Sequence, residues 1–491
     1  MSEQKDLVTA RRNEPWREEL RKAHTGKERM AIPRVKMTEV DPHERAHSLT
    51  KEVNCGLTEE EARREAIRCL DCANPSCMEG CPVSINIPSF IKNVERGDFA
   101  AAAHIIRESS SLPAVCGRVC PQEKQCEKHC IYTEKMKRDA VAIGYLERFV
   151  ADYERENGLY ELPEMAPKNG KKIAVIGSGP AGLSFAGDMA RWGYDVTVFE
   201  ALHEVGGVLK YGIPEFRLPL RVVNAELKIL EQMGVHFETN VVVGRTLSHE
   251  QLEEMGFAGI FVGSGAGLPN FMNIPGENLA GVMSSNEYLT RVNLMGAGTE
   301  GAETPIYKGD VVAVIGGGNT AMDSVRTALR LGAKRAMIVY RRSEEEMPAR
   351  HEEILHAKAE GVEFLTLHNP IEYEGNEKGK VCRMKLQRME LGDPTPDGRR
   401  KPVPIPGAID EVDVDVVVVS IGVSPNPLIP RSFQGLEVSP KGTVIVNEQN
   451  QSSIKEVYAG GDIVRGGATV ILAMGDGRKA AANMHAALSQ Q

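Results

Sequence analysis

The chain has 491 residues, a formal net charge of −9, 42% hydrophobic residues and 10 cysteines. The length exceeds what one core organises. The acidity disfavours nucleic acid as a general partner, and no apolar run reaches the length of a membrane span. The start, MSEQKDLVTARRNEPWREEL, has no apolar stretch of a secretory signal. A cytoplasmic location is therefore expected, where clustered cysteines more often bind metal than pair as disulfides.

Residues 1–50 are charged, contain several prolines and show no periodicity, so they read as an extended or weakly ordered arm. Thr58 followed by Glu61 forms a capping box, and Ala62, Ala66, Ile67 and Leu70 give one helical face. That helix delivers Cys69 and Cys72 at its end. Further helical patterns run through IPSFIKNVERGDFAAAAHIIRE and AVAIGYLERFVADYERENG. Residues 51–160 thus read as a separate, all-helical, cysteine-bearing domain.

Eight cysteines fall between residues 69 and 130. The first four read C-x2-C-x4-C-x3-C-P: Cys69, Cys72, Cys77 and Cys81. The second four, Cys116, Cys120, Cys126 and Cys130, read C-x3-C-P-x4-C-x3-C. Structural zinc prefers paired C-x2-C knuckles, which these spacings match poorly. C-x2-C runs followed by Cys-Pro, with a late cysteine serving another cluster, suit iron–sulfur centres. Iron–sulfur is favoured over zinc and disulfides, and eight thiolates suit two [4Fe-4S] clusters. Cys55 and Cys382 stand apart and read as ordinary, partly buried thiols.

After the polar linker PEMAPKNGKK comes IAVIGSGPAGLSFAGDMARWGYDVTVFE, a strand, a glycine turn, a helix and a second strand. Gly177, Gly179 and Gly182, with Ser178, Pro180 and Ala181 between them, fit G-x-G-x-x-G. The first glycine permits a tight turn, the second lets a pyrophosphate approach the backbone, and the third allows close helix–strand packing. Glu200 ends the second strand, where an acid receives ribose hydroxyls. A second such unit starts at Val311. Its motif, Gly316-Gly317-Gly318-Asn319-Thr320-Ala321, has alanine at the third position, and Arg341 and Arg342 follow its second strand. An acid there would repel a 2′-phosphate, whereas arginine pairs with it, which favours NADP(H) over NAD(H) and over a merely solvated pair of charges. Arg350 is a further candidate for that phosphate. His351 and His356, on an acidic helix, read as surface residues. No H-E-x-x-H or G-x-S-x-G motif occurs, and hydride transfer between nicotinamide and flavin needs none.

The motifs CLDCANPSCMEGCPVSINIP, CGRVCPQEKQCEKHC, VIGSGPAGL, EVGGVLKYGIPEFRLP, VIGGGNTAMD, YRRSEEEMPAR and VYAGGD together closely resemble the small (β) chain of NADPH-dependent glutamate synthase, from about residue 40 to the end. The same module resembles the N-terminal half of dihydropyrimidine dehydrogenase. It also resembles the large subunit of NADH-dependent ferredoxin:NADP oxidoreductase and the sulfide dehydrogenase flavoprotein. The resemblance implies a multidomain fold: an all-α iron–sulfur domain, then two Rossmann-like α/β nucleotide-binding domains. It implies FAD-binding parts over 171–300 and 421–491, with an NADP(H)-binding domain over 308–420 inserted between them. It also implies crossed ligation. Cys69, Cys72, Cys77 and Cys130 would hold one [4Fe-4S] cluster, and Cys81, Cys120, Cys126 and Glu147 the other. Cys116 becomes a bystander despite its local spacing. Gly177 to Gly182, Glu200, Leu209, Arg217 and Asp462 would hold FAD, and the helix starting near Ala468 would point its N-terminus at the flavin.

The activity implied is oxidation of NADPH at FAD, with electrons leaving through the clusters to a partner subunit. The partner implied is an FMN/iron–sulfur glutamate synthase large chain, which forms L-glutamate from L-glutamine and 2-oxoglutarate. The alternative is an electron-bifurcating or ferredoxin-linked transhydrogenase, paired with a small FAD/[2Fe-2S] subunit. A non-enzymatic scaffold is disfavoured by the two intact nucleotide motifs.

Overall fold

The computed structural model describes residues 2–396 and 398–490. Every helix or strand before residue 172 is helical, from Ser2–Arg12 to Ile143–Glu156. The helix Glu59–Ile67 starts at the expected capping box, with both reciprocal Thr58–Glu61 hydrogen bonds made.

The N-terminal residues are not an extended arm. They form the helices Ser2–Arg12, Pro15–Ala23, Gly26–Ala31 and Pro42–Arg45. Arg17 is 1% exposed and Arg45 0%, each held by a carboxylate from another part of the chain. Arg17 pairs with Asp71, and Arg45 lies 2.9 Å from Glu360. Charge looks like solvation in a local window, but here it is satisfied at long range.

Two parallel five-stranded sheets follow. The first runs, in spatial order, Val457–Ala459, Phe257–Val262, Lys172–Ile176, Asp195–Phe199, His236–Glu238. The second runs Val282–Ser284, Val416–Val419, Val311–Ile315, Arg335–Tyr340, Glu363–Thr366. The chain therefore leaves the first sheet, builds the second and returns with Val457–Ala459. Where it crosses, Leu268–Pro269 pairs antiparallel with Val423–Ser424. Val282–Ser284 joins the second sheet, inside the span 171–300 expected to belong to the first. A three-residue strand has too little pattern to declare its sheet. A long antiparallel sheet, His368–Gly375, Val381–Pro394 and Arg400–Asp413, extends from the second unit.

The core of the helical segment is continuous with that of the first α/β unit. One apolar cluster runs from Ala62 and Phe90 through Val115, Leu146 and Val150 into Val175, Phe185, Phe261 and Met484 of the first α/β unit. Within it, the helices Pro180–Arg191 and Val470–Leu488 lie close because their facing residues are small. A Cβ on Gly477 would sit 2.2 Å from the Ala181 carbonyl.

Candidate functional site: two helix termini on one cavity and two cysteine groups

Gly177 and Gly316 occupy equivalent turns, at φ +97° and +141°, which side chains other than hydrogen rarely tolerate. Each turn leads into a helix, Pro180–Arg191 or Asn319–Arg330, capped by Gly179 or Gly318. Neither capping glycine has a heavy atom within 4 Å of where a Cβ would stand. That leaves free backbone N–H groups on the open side of a helix N-terminus, the arrangement that binds phosphate. At the third position Gly182 is required, since a Cβ would lie 2.1 Å from the Gly177 carbonyl. Ala321 fills that place in the second motif, fully buried.

Both termini open on the same cavity. It is lined by Gly177, Gly179, Pro180, Ala181, Glu200, Arg217 and Asp462 from the first unit, and by Asn319, Thr320 and Asp323 from the second. Glu200 is positioned by the N–H groups of Ser178 at 3.0 Å and Leu202 at 2.9 Å. Asp462 accepts from the Ala468 N–H at 3.1 Å, and burial pushes its carboxyl up to about 6. Ala468, Thr469, Val470 and Ala473 also line the cavity, so the helix Val470–Leu488, capped by Thr469, begins at its wall.

Several expected residues stand elsewhere or are already engaged. Leu209 is fully buried in the apolar core, while its neighbours Val208 and Tyr211 line the cavity. The Arg217 Nη1 donates to both Asp323 carboxylate oxygens, at 2.7 and 2.8 Å, and its Nε lies 3.1 Å from Glu353, tying the first unit to the second. Arg341 is exposed and makes no side-chain hydrogen bond or ion pair among the described residues. Arg342 is buried, its Nε donating to the Arg400 carbonyl at 2.7 Å. Arg350 is buried against the helical segment, donating to the Arg118 carbonyl at 2.6 Å and pairing with Glu352 at 2.6 Å. His356 is not a surface residue: it is 3% exposed and faces Glu39 at 3.3 Å, whereas His351 is exposed. Cys55 and Cys382 are exposed. Sequence reasoning missed Asp323. Its one signal was an acid at the fifth position of a helix that otherwise buries that face.

The cysteines separate into two groups that cross their order in the chain. Cys69, Cys72, Cys77 and Cys130 line one cavity, walled by Ile87, Ile91, Tyr132 and Ile143. Cys81, Cys116, Cys120, Cys126 and Glu147 interact electrostatically in a second group. Cys116 lies beside Cys120 and 3.5 Å from the Met474 sulfur. Burial pushes the Cys69 thiol up to about 11 and Cys81 up to about 12, and holds Cys77 and Cys126 well above the ordinary thiol range. The Cys120 thiol is raised first by its contact with Cys116 and then by burial. Burial also lifts Glu147 to about 8, and its Oε1 has no hydrogen-bond partner. A buried set of thiols plus a carboxylate with an orphaned oxygen suits a multinuclear metal cluster, which would deprotonate its ligands, while among the described residues no three Cys, His, Asp or Glu are placed to hold a single metal ion.

Residues 45–159 match the family model for dihydropyrimidine dehydrogenase domain II, 4Fe-4S cluster, and residues 171–477 that for pyridine nucleotide-disulphide oxidoreductase. The chain is 38% identical over 427 residues to the glutamate synthase (NADPH) small chain of Halomonas elongata, covering 86% of this chain and 89% of that one. It is 36% identical over 459 residues to the Escherichia coli K12 small chain, covering 91% and 96%. It is also 37% identical to the NADP(+)-dependent formate dehydrogenase subunit beta of Moorella thermoacetica, covering 84% of this chain and 60% of that one. The fold is shared with Mycobacterium tuberculosis FprA, solved in complex with NADPH, at TM-score 0.54 and 22% identity, over 65% of this chain and 85% of that one.

An iron–sulfur domain joined to a pyridine nucleotide-disulphide oxidoreductase defines the class: the chain is an oxidoreductase. Within that class it belongs to the family of the glutamate synthase (NADPH) small chains. Among the described residues, no helix is long and apolar enough to cross a membrane.

Proposed function

We propose that the chain oxidises NADPH at a bound FAD and delivers the electrons through two [4Fe-4S] clusters to a partner subunit, as the electron-entry half of glutamate synthase. The observation that carries this reading is the single cavity shared by two phosphate-binding helix termini, one from each α/β unit. Two dinucleotides bound at those termini would meet there, and hydride transfer requires their rings to stack without any general acid–base pair. FAD, when bound, supplies the exchange between a two-electron hydride and single electrons. Gly177 to Gly182 would cradle its pyrophosphate, Glu200 its ribose, and Asp462 its ribityl-phosphate side. Asn319, Thr320 and Gly318 would hold NADP(H), with Arg341 at the 2′-phosphate. Cys69, Cys72, Cys77 and Cys130 would ligate one cluster; Cys81, Cys120, Cys126 and Glu147 would ligate the other.

The chain covers 89 and 96% of the two small chains but 60% of the formate dehydrogenase subunit. Membership of the glutamate synthase small-chain family favours a glutamate synthase partner, an FMN/iron–sulfur large chain, over a small FAD/[2Fe-2S] subunit. The test is anaerobic purification of the native complex, with mass spectrometry of its subunits and iron analysis of the isolated chain. The expected results are a large FMN-containing partner, about eight irons for two such clusters, and NADPH oxidation with an artificial acceptor. A chain that binds no flavin, or that holds stoichiometric zinc, would refute the reading.

A further inference from the structure

The two cysteine groups sit in unlike electrostatic surroundings. Around the first, five cations converge on the turn from Cys69 to Cys72, four of them from the N-terminal helices that precede the 45–159 match. Arg12 donates to the Asp71 carbonyl at 3.0 Å, and Arg21 reaches the Asp71 carboxylate at 2.6 Å. Arg17 pairs with the same carboxylate and donates to Ser89 at 2.8 Å. Arg29 donates to the Ile67 carbonyl at 2.5 Å and pairs with Glu95 at 2.9 Å. Lys92, fully buried, donates to the Cys69 carbonyl at 2.6 Å. Only two carboxylates, Asp71 and Glu95, lie among these contacts, and Arg68 beside them is cancelled by Glu65 at 2.5 Å. The turn is left with a positive excess. Beside the second group Arg350 is paired with Glu352 and Arg34 with Glu127, and the group carries the carboxylate of Glu147.

The contacts also act through the backbone. The peptide whose carbonyl Arg12 holds is the one whose N–H, from Cys72, faces the Cys72 sulfur. A cation on the carbonyl end of a peptide strengthens the donor at its other end.

We infer that Arg12 and Lys92 are positioning residues that raise the reduction potential of the cluster held by Cys69, Cys72, Cys77 and Cys130. The N-terminal helices are thus a cationic strap that draws electrons toward that cluster. The inference rests on the ligation proposed above. A cluster gains negative charge when it takes an electron, so nearby positive charge and N–H donors to sulfur favour its reduced form.

The experiment is a redox titration of the full chain followed by EPR, with iron analysis of every sample. Arg12→Gln and Lys92→Gln should keep the wild-type iron content. Each should disfavour reduction of one cluster by about tenfold, a fall of about 59 mV for one electron, and leave the other cluster in place. Arg12→Lys, which keeps the charge, should restore the wild-type potential. Unchanged potentials in iron-replete Arg12→Gln and Lys92→Gln would overturn the inference, as would loss of iron in both. The ligation reading fails separately, if the wild type holds only four irons or if Cys77→Ser retains both clusters.

Discussion

Glu147 is buried with one carboxylate oxygen lacking any partner. Such a group costs about 1–3 kcal/mol unless something takes up the lone pair. Iron would do so, and a carboxylate, harder than thiolate, alters the charge and potential of the cluster it binds. Glu147→Gln should therefore change the EPR spectrum and potential of one cluster and leave the other unaltered. Cys116→Ser should keep both clusters, because the proposed ligation leaves Cys116 as a neighbour of Met474 and Cys120 and not as a ligand. Cys120→Ser should lose one. Iron loss in Cys116→Ser, together with a wild-type spectrum in Glu147→Gln, would restore the local grouping that spacing alone suggests. At the nucleotide end, Arg341 is the uncommitted guanidinium. Arg341→Ala should raise the NADPH KM about tenfold with little change in kcat, since the pair is exposed and screened. Arg342→Ala should do less, its Nε being occupied by the Arg400 carbonyl. Steady-state kinetics with NADPH and NADH check both. The glycine turns and Glu200 were legible in the sequence because each answers a local backbone requirement. The commitments of Arg217, Arg342 and Arg350 were not, since their partners lie in other elements.

At the scale of elements, buried ion pairs clamp the N-terminal helices to the second α/β unit. Glu360 lies 2.9 Å from Arg45, 2.8 Å from Arg326 and 2.7 Å from Arg330. Burial alone would raise its carboxyl, but Arg326 and Arg330 outweigh that and hold it at about 2. Glu353, next to Arg217 and Arg326, is held below the usual carboxylate range in the same way. A depressed carboxyl contributes its stabilisation in full above its ordinary value of 4.5 and loses it as pH falls toward the folded value. Asp323 runs the other way: burial pushes it up to about 6 despite Arg217, so its penalty grows as pH rises from 3.8 to about 6. Below pH 4.5 the two glutamates dominate. The urea midpoint of the wild type should therefore fall between pH 4.5 and about 2, and Glu360→Gln should flatten that fall. At neutral pH the same variant should cost about 3–5 kcal/mol, as breaking a buried pair does. A wild-type slope that survives in Glu360→Gln would assign the acid sensitivity to other groups. The capping box at Thr58 and Glu61 was readable from spacing. The N-terminal helices were not, because what anchors them is a guanidinium in one element and a carboxylate 54 to 315 residues away in another.

For the whole molecule, the proposed ligation together with the shared core and the shared cavity implies an order for the electrons. Deleting the helical segment would open the apolar cluster that joins it to the first α/β unit, so single ligands are the proper probes. The second cysteine group leans on the helix Val470–Leu488. Cys116 touches Met474, a Cβ on Gly475 would stand 2.9 Å from the Pro82 carbonyl, and the neighbouring Ala473 lines the cavity. Val119, next to Cys120, lines it too. The first group has three partly exposed cysteines, Cys69, Cys72 and Cys77, with Cys130 buried, whereas the second has one, Cys81, with Cys120 and Cys126 buried. The order expected is cavity, second group, first group, partner. Cys77→Ser should then keep NADPH oxidation by a small dye and NADPH-driven reduction of the remaining cluster, read by EPR. It should abolish partner-dependent glutamate formation from 2-oxoglutarate and glutamine. Cys120→Ser should instead prevent NADPH from reducing the first cluster at all. Full partner-dependent turnover in Cys77→Ser would mean that electrons leave from the second group or from the flavin directly, and the series order would have to be abandoned.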